Sequence, residues 1–173
     1  MRKSHLHIFT LICSFVILHG CGIYSFTGAN LGEAETFQVN YFQNYAGQSA
    51  GSTIEPGLDR DFTVALQDFI QNQTSLSLQG NDADLVYEGE IVEYRVSPMT
   101  ATAQQTAAQN RLTIAVNVRF FNRTKKDVDF EKRFSFFYDF SADTLLESVK
   151  GEAHELIFDR ITQDIFSASL SNW

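Results

Sequence analysis

A chain of 173 residues with 44% hydrophobic residues is long enough to bury one sizeable core, and 16 Phe against two Pro favour a packed aromatic interior over a disordered segment. Its formal net charge of −8 speaks against nucleic acid, and against unaided adhesion to an anionic membrane, as partners.

The first twenty residues read as a targeting signal. Arg2 and Lys3 are followed by an apolar run, residues 6–18, without Asp, Glu, Lys or Arg. The run is too short for a permanent transmembrane helix and suits the apolar region of a secretion signal. Leu18-His19-Gly20-Cys21 has the form of a bacterial lipobox, which predicts cleavage before Cys21 and lipid attachment to its sulfur. Such a Cys ends with three acyl chains, more than stable anchoring requires. Gly22 stands where an Asp would favour the inner membrane, so the outer membrane is expected. Cleavage removes two of 13 basic residues and no acidic one, taking the charge from −8 to −10. It also removes Cys13, and with Cys21 acylated no thiol is left for a disulfide, a metal or a nucleophile. Residues 21–32 form the acylated Cys and a short tether of about 40 Å at full extension. Ile23, Tyr24 and Phe26 make it more apolar than a free linker needs. Residues 33–173 are then one domain.

Within it, residues 36–42 alternate apolar and polar, as a half-buried strand does. After a loop closed by Pro56-Gly57, Leu58, Phe62, Ala65, Leu66, Phe69 and Ile70 recur at helical spacing. Leu76 and Leu78 suit a short strand before the turn at residues 80–82. Residues 85–96 are a strand whose phase shifts near Ile91-Val92, indicating a bulge. Residues 111–121 and 128–140 alternate cleanly around a polar turn at 122–127, which predicts a hairpin. The Thr/Ala/Gln-rich segment 97–109 reads as a loop. A final helix, capped by Asp143 or Ser141, carries the stripe Leu145, Leu146, Val149, Ala153, Leu156, Ile157, Ile161, Ile165 and Ala168. The expected fold is α+β, with two helices on one face of a mainly antiparallel, four- to five-stranded sheet in the order strand, helix, strands, helix.

Chemistry is sparse. After cleavage one histidine remains, His154, beside Glu152 and Glu155, and it reads as a solvated residue on the outer side of the last helix. No Ser-His-Asp, Cys-His or metal-binding set can be built, and no cofactor is expected. Asp82 with Asp84, and Glu88 with Glu90, are the nearest carboxylate pairs for a hydrolase. They read more simply as turn chemistry and the polar side of a strand. Six basic residues fall between positions 119 and 133: Arg119, Arg123, Lys125, Lys126, Lys132 and Arg133, interleaved with Asp127, Asp129 and Glu131. Either the hairpin is solvated and its charges paired, or its tip presents Arg123, Lys125 and Lys126 to the phosphates of an anionic glycolipid.

Several segments carry a resemblance: CGIYSFTG at 21–28, ADLVYEGEI at 83–91, NRLTI at 110–114, the aromatic strand 134–140, DIF at 164–166 and the final Asn172-Trp173. In this order and spacing the chain resembles the LptE family of lipopolysaccharide-assembly lipoproteins, in a divergent branch. The resemblance implies a small α/β sandwich held in or against the lumen of an LptD-like outer-membrane barrel. It implies non-enzymatic work on lipopolysaccharide delivery, with lipopolysaccharide itself a further partner. The alternative is a lipid-anchored binding module of another periplasmic or cell-surface assembly.

Overall fold

The computed structural model describes residues 29–99 and 108–171. The expected signal, the lipid-bearing Cys21, the apolar tether residues Ile23, Tyr24 and Phe26, and most of the expected loop at 97–109 lie outside the described residues. The elements are β1 (Thr36–Val39), β2 (Gln43–Asn44), α1 (Leu58–Gln73), β3 (Ser77–Leu78), β4 (Leu85–Met99), β5 (Gln109–Asn122), β6 (Phe130–Ser141) and α2 (Leu146–Leu170). Among the described residues six strands form one sheet in the order β3-β1-β4-β5-β6, with β2 beside β4.

β4, β5 and β6 are antiparallel neighbours, as the alternation and the polar turn require. The short strands differ from expectation. β1 runs parallel to both β3 and β4, and β2 runs parallel to β4, so the sheet is mixed. The cause is α1, which carries the chain back to the end where β1 begins, so that β3 leaves in the same direction as β1. The expected strand at 36–42 also stops at Val39. Phe42 leaves the ladder for the core, where its N–H donates to the buried Thr63 hydroxyl of α1 at 3.2 Å.

Both helices pack on one face. From β5, Leu112, Ile114, Val116, Val118 and Phe120 are fully buried there. They meet Leu58, Phe62, Leu66 and Ile70 of α1 and Ala153, Ile157, Ile161 and Ile165 of α2 in a single core. Phe62 sits at its centre, edge-on to Phe42 at 5.1 Å and to Phe158 at 5.4 Å. In β4 the register slips between Ile91 and Glu93, the bulge that the phase shift indicated. The slip brings Tyr94 to the helix side.

The stripe of α2 is rotated from the one expected. Phe158, Phe166 and Leu170 are buried, whereas Leu145 and Leu156 are exposed. No side chain caps the helix, which begins after Leu145, and Ser141 instead accepts the Asp143 N–H in the preceding turn. The chain enters the described region against the end of α2. Ala29 and Ser171 form a β-bridge, and the Asn30 N–H donates to the Leu170 carbonyl at 2.6 Å.

Candidate functional site

The face of the sheet away from the helices is built from the other parity of the same strands. Register sets Glu88 opposite Arg119, Glu90 opposite Asn117 and Arg111 opposite Asp139. Arg119 bridges both glutamates, Nε to Glu88 Oε1 at 3.1 Å and Nη1 to Glu90 Oε2 at 3.1 Å. The Arg111 guanidinium grips Asp139 with two bonds of 2.6 and 2.7 Å and lies 3.5 Å above the Phe137 ring. Glu93, buried at 6% exposure, is clamped between Arg95 and Arg133. Fork-shaped guanidinium groups suit this geometry better than ammonium groups would. The face is polar, and Arg111, Arg119 and Arg133 are paired with carboxylates on it, whereas Gln38 Oε1 is buried without a hydrogen-bond partner among the described residues.

The basic cluster at 119–133 is therefore dispersed rather than gathered. Arg119 and Arg133 are spent on the outer face, and Lys132 lies on the helix side, its ammonium 5.2 Å from the Phe134 ring. Arg123 and Lys125 do sit at the β5–β6 tip. The Asn122 side chain builds that tip, accepting the N–H groups of Thr124 and Lys125 at 2.9 Å each and the Thr124 hydroxyl at 2.7 Å. Arg123 contacts Asp82 at 3.2 Å and Lys125 approaches Asp127 at 3.9 Å. The side chain of Lys126 lies outside the described residues. Next to the tip is a cavity of about 310 Å³, whose walls include Asn30, Leu31, Lys125, Val128 and Leu170. The last tether residues, the hairpin tip and the end of α2 thus share one pole of the molecule.

The carboxylate pairs have structural employment. Asp82 holds a left-handed turn with φ of 57°. Asp84 accepts the N–H groups of Glu35 and Thr36 at 3.0 and 3.1 Å and the Thr36 hydroxyl at 2.8 Å, tying the start of β4 to β1. These bonds, that from the Glu35 N–H foremost, hold the Asp84 carboxyl below the usual carboxylate range. Among the described residues no group of three or more His, Cys, Asp or Glu is placed to hold a metal ion, and no helix is long and apolar enough to cross a membrane.

His154 departs from the sequence reading, because the rotation of α2 turns it inward. It is half-buried, with Nε2 3.2 Å from the Tyr94 hydroxyl and its ring stacked on Phe158 at 5.7 Å. Burial, opposed by Glu55, lowers its pKa, with Lys150, Asp61 and Glu147 as smaller influences. A histidine whose folded pKa lies below its unfolded value of about 6.5 takes up its proton more readily in the unfolded chain. The fold should therefore lose stability as pH falls from about 7 through 6.5 towards the lowered value. In His154→Phe, which keeps the ring but cannot titrate, the urea midpoint should fall less between pH 7.5 and 5.5 than in the parent chain. Equal falls would contradict this role.

In a sequence comparison no curated protein matches the chain. Among solved structures, it is similar to a hypothetical protein from Chlamydia trachomatis, with a TM-score of 0.51 and 12% identity over 79% of this chain and 98% of that one. At that identity the likeness is one of fold alone. Other similar structures are a minor lipoprotein from Acinetobacter baumannii (TM-score 0.49, 11% identity, 80% and 97% covered) and the rare lipoprotein B from Shewanella oneidensis (TM-score 0.42, 12% identity, 76% and 89% covered). A family model described as LptE, lipopolysaccharide-assembly, matches residues 34–169.

Proposed function

The chain belongs to the LptE family of lipopolysaccharide-assembly proteins, and from that premise we propose that it is a lipid-anchored, non-enzymatic subunit supporting an LptD-type barrel in the outer membrane. What carries the reading is the extent of the match, which runs from before β1 to the last turn of α2 and so takes in the whole packed domain. Cys21 would bear the lipid. The stretch from there to Ala29 reaches about 30 Å at most, so the pole formed by the tether, the hairpin tip and the end of α2 would stay near the bilayer. The domain would lie in the periplasm or in the barrel lumen.

The direct test is to isolate the acylated protein from its membranes in mild detergent and identify what accompanies it. An LptD-like barrel is expected in the complex, and a complex without one rejects the proposal. Depleting the protein should also reduce lipopolysaccharide at the cell surface. Mass analysis of the same sample reads the anchor, since an unmodified thiol at Cys21 would remove it.

A finer part of the reading is that the tip offers Arg123, Lys125 and Lys126 to lipopolysaccharide phosphates. The contacts of Arg123 with Asp82 and of Lys125 with Asp127 are exposed and weak, and a phosphate can displace them. Replacing Lys125 and Lys126 together by Glu should weaken lipopolysaccharide binding roughly 3- to 10-fold and leave the urea midpoint of the domain unchanged. An unaltered binding titration would reject a role for the tip.

A further inference from the structure

β6 closes one side of the sheet. Among the described residues its 12 residues pair with β5 on one flank only, so along the other flank every second N–H and C=O points away from the sheet. Natural edges of this length are blunted by charge, and here Glu131, Lys132 and Arg133 guard only the beginning. From residue 134 to 140 the strand is aromatic, and its one charged side chain, Asp139, is held by Arg111 on the outer face.

Beside the edge runs an open groove of about 480 Å³, walled by residues 132–135 and, from α2, by Asp164, Ser167 and Ala168. The small side chains of Ser167 and Ala168 leave the flank accessible. At the groove lies Lys132, exposed, and among the described residues no carboxylate forms an ion pair with it. An unpaired cation is conspicuous in a chain of net charge −8.

We propose that β6 accepts a further strand: an extended, acidic segment of a partner protein lies in this groove, its main chain bonded to the free flank of β6 and a carboxylate set against Lys132. A row of alternating donors and acceptors at strand spacing is matched by another extended main chain, whereas an acyl chain would leave each of those groups unsatisfied. A second copy of this chain fits poorly. In a continuous sheet, side chains facing each other across a strand pair lie on the same face. The β6 residues on the face of Lys132 are Phe130, Phe134, Phe136, Tyr138 and Phe140, so self-pairing offers it an aromatic ring or another Lys132 and no acid. This inference goes beyond the family reading; only its test uses the lipid anchor of that reading, which mass analysis at Cys21 checks separately.

Hydrogen exchange tests it, comparing the acylated protein in its native membranes with the purified monomer. The free-flank amides of β6 between residues 134 and 140 should exchange at least about 10-fold more slowly in membranes. Lys132→Glu should abolish that slowing and Lys132→Arg should retain it, both with unchanged monomer stability because the side chain is exposed. Equal rates in the two states overturn the proposal, as does slowing that survives Lys132→Glu. Slowing in the purified chain that grows with its concentration means a second copy and also overturns it. So does slowing shared equally by β4 and β5, which would report general stabilisation.

Discussion

A Gly89→Ala chain is expected to lose about 3 kcal/mol of stability or more, a large part of the total for a domain of this size. Gly89 lies in the middle of β4, directly opposite Val118. A Cβ placed there would overlap the Asn117 carbonyl oxygen and stand 2.8 Å from Cε1 of Phe42. A ring can swing aside, but the carbonyl belongs to the main chain of β5 and can retreat only if the two longest strands part. The two obstacles can be told apart. Shortening Phe42 to Leu in the Gly89→Ala background removes the ring contact, so a chain that recovers would show that the ring was the obstacle. Persistent loss places the conflict in the main chain, which is the expected result. With a urea dependence of about 1–3 kcal/mol per molar, the midpoint should fall by roughly 1 M or more. A fall of under 0.3 M, by rough reckoning from the same dependence, would mean that β4 and β5 are not so closely apposed.

Phe62→Ala should cost a further large amount, about 3–5 kcal/mol. Its ring is fully buried and touches aromatic neighbours from two other parts of the chain, Phe42 just before β2 and Phe158 in α2. Truncation removes two edge-to-face contacts and opens a void that flat rings cannot collapse to fill. Because Phe42 loses a contact in Phe62→Ala, adding Phe42→Ala should cost less than the two single changes summed. Thermal unfolding of the two singles and the double reads that coupling directly. Strict additivity would show that the rings do not support one another.

The long strands and α1 were legible because each obeys one period over many residues. In β5 every second residue from Leu112 to Phe120 is apolar, and in α1 the spacing of Leu58, Phe62, Leu66 and Ile70 allows one inward face. The parallel placing of β1 was not legible, since four residues with two buried side chains say nothing about the direction of a neighbour. α2 misled for the opposite reason. Leu146, Leu156, Phe158 and Phe166 lie on several of its sides, so several stripes are available and packing chooses between them. That choice also settled the place of His154. The basic cluster held a clue that parity would have revealed. Arg133 alternates with Phe134 while Lys132 shares the parity of Phe134, which divides the two cations between opposite faces of β6. The ion pairs of the outer face were beyond reach, since Glu88 meets Arg119 only once the β4–β5 register is known.

The join between Ala29 and Ser171 has a mechanical side. A molecule moored at that pole carries the far ends of β4 and β5, Met99 and Gln109, away from the mooring by the length of a 15-residue strand, about 50 Å, which exceeds the thickness of a bilayer interior. Tension along the leash would be borne first by the few main-chain bonds that fasten it to the last turn of α2, leaving the sheet unstrained.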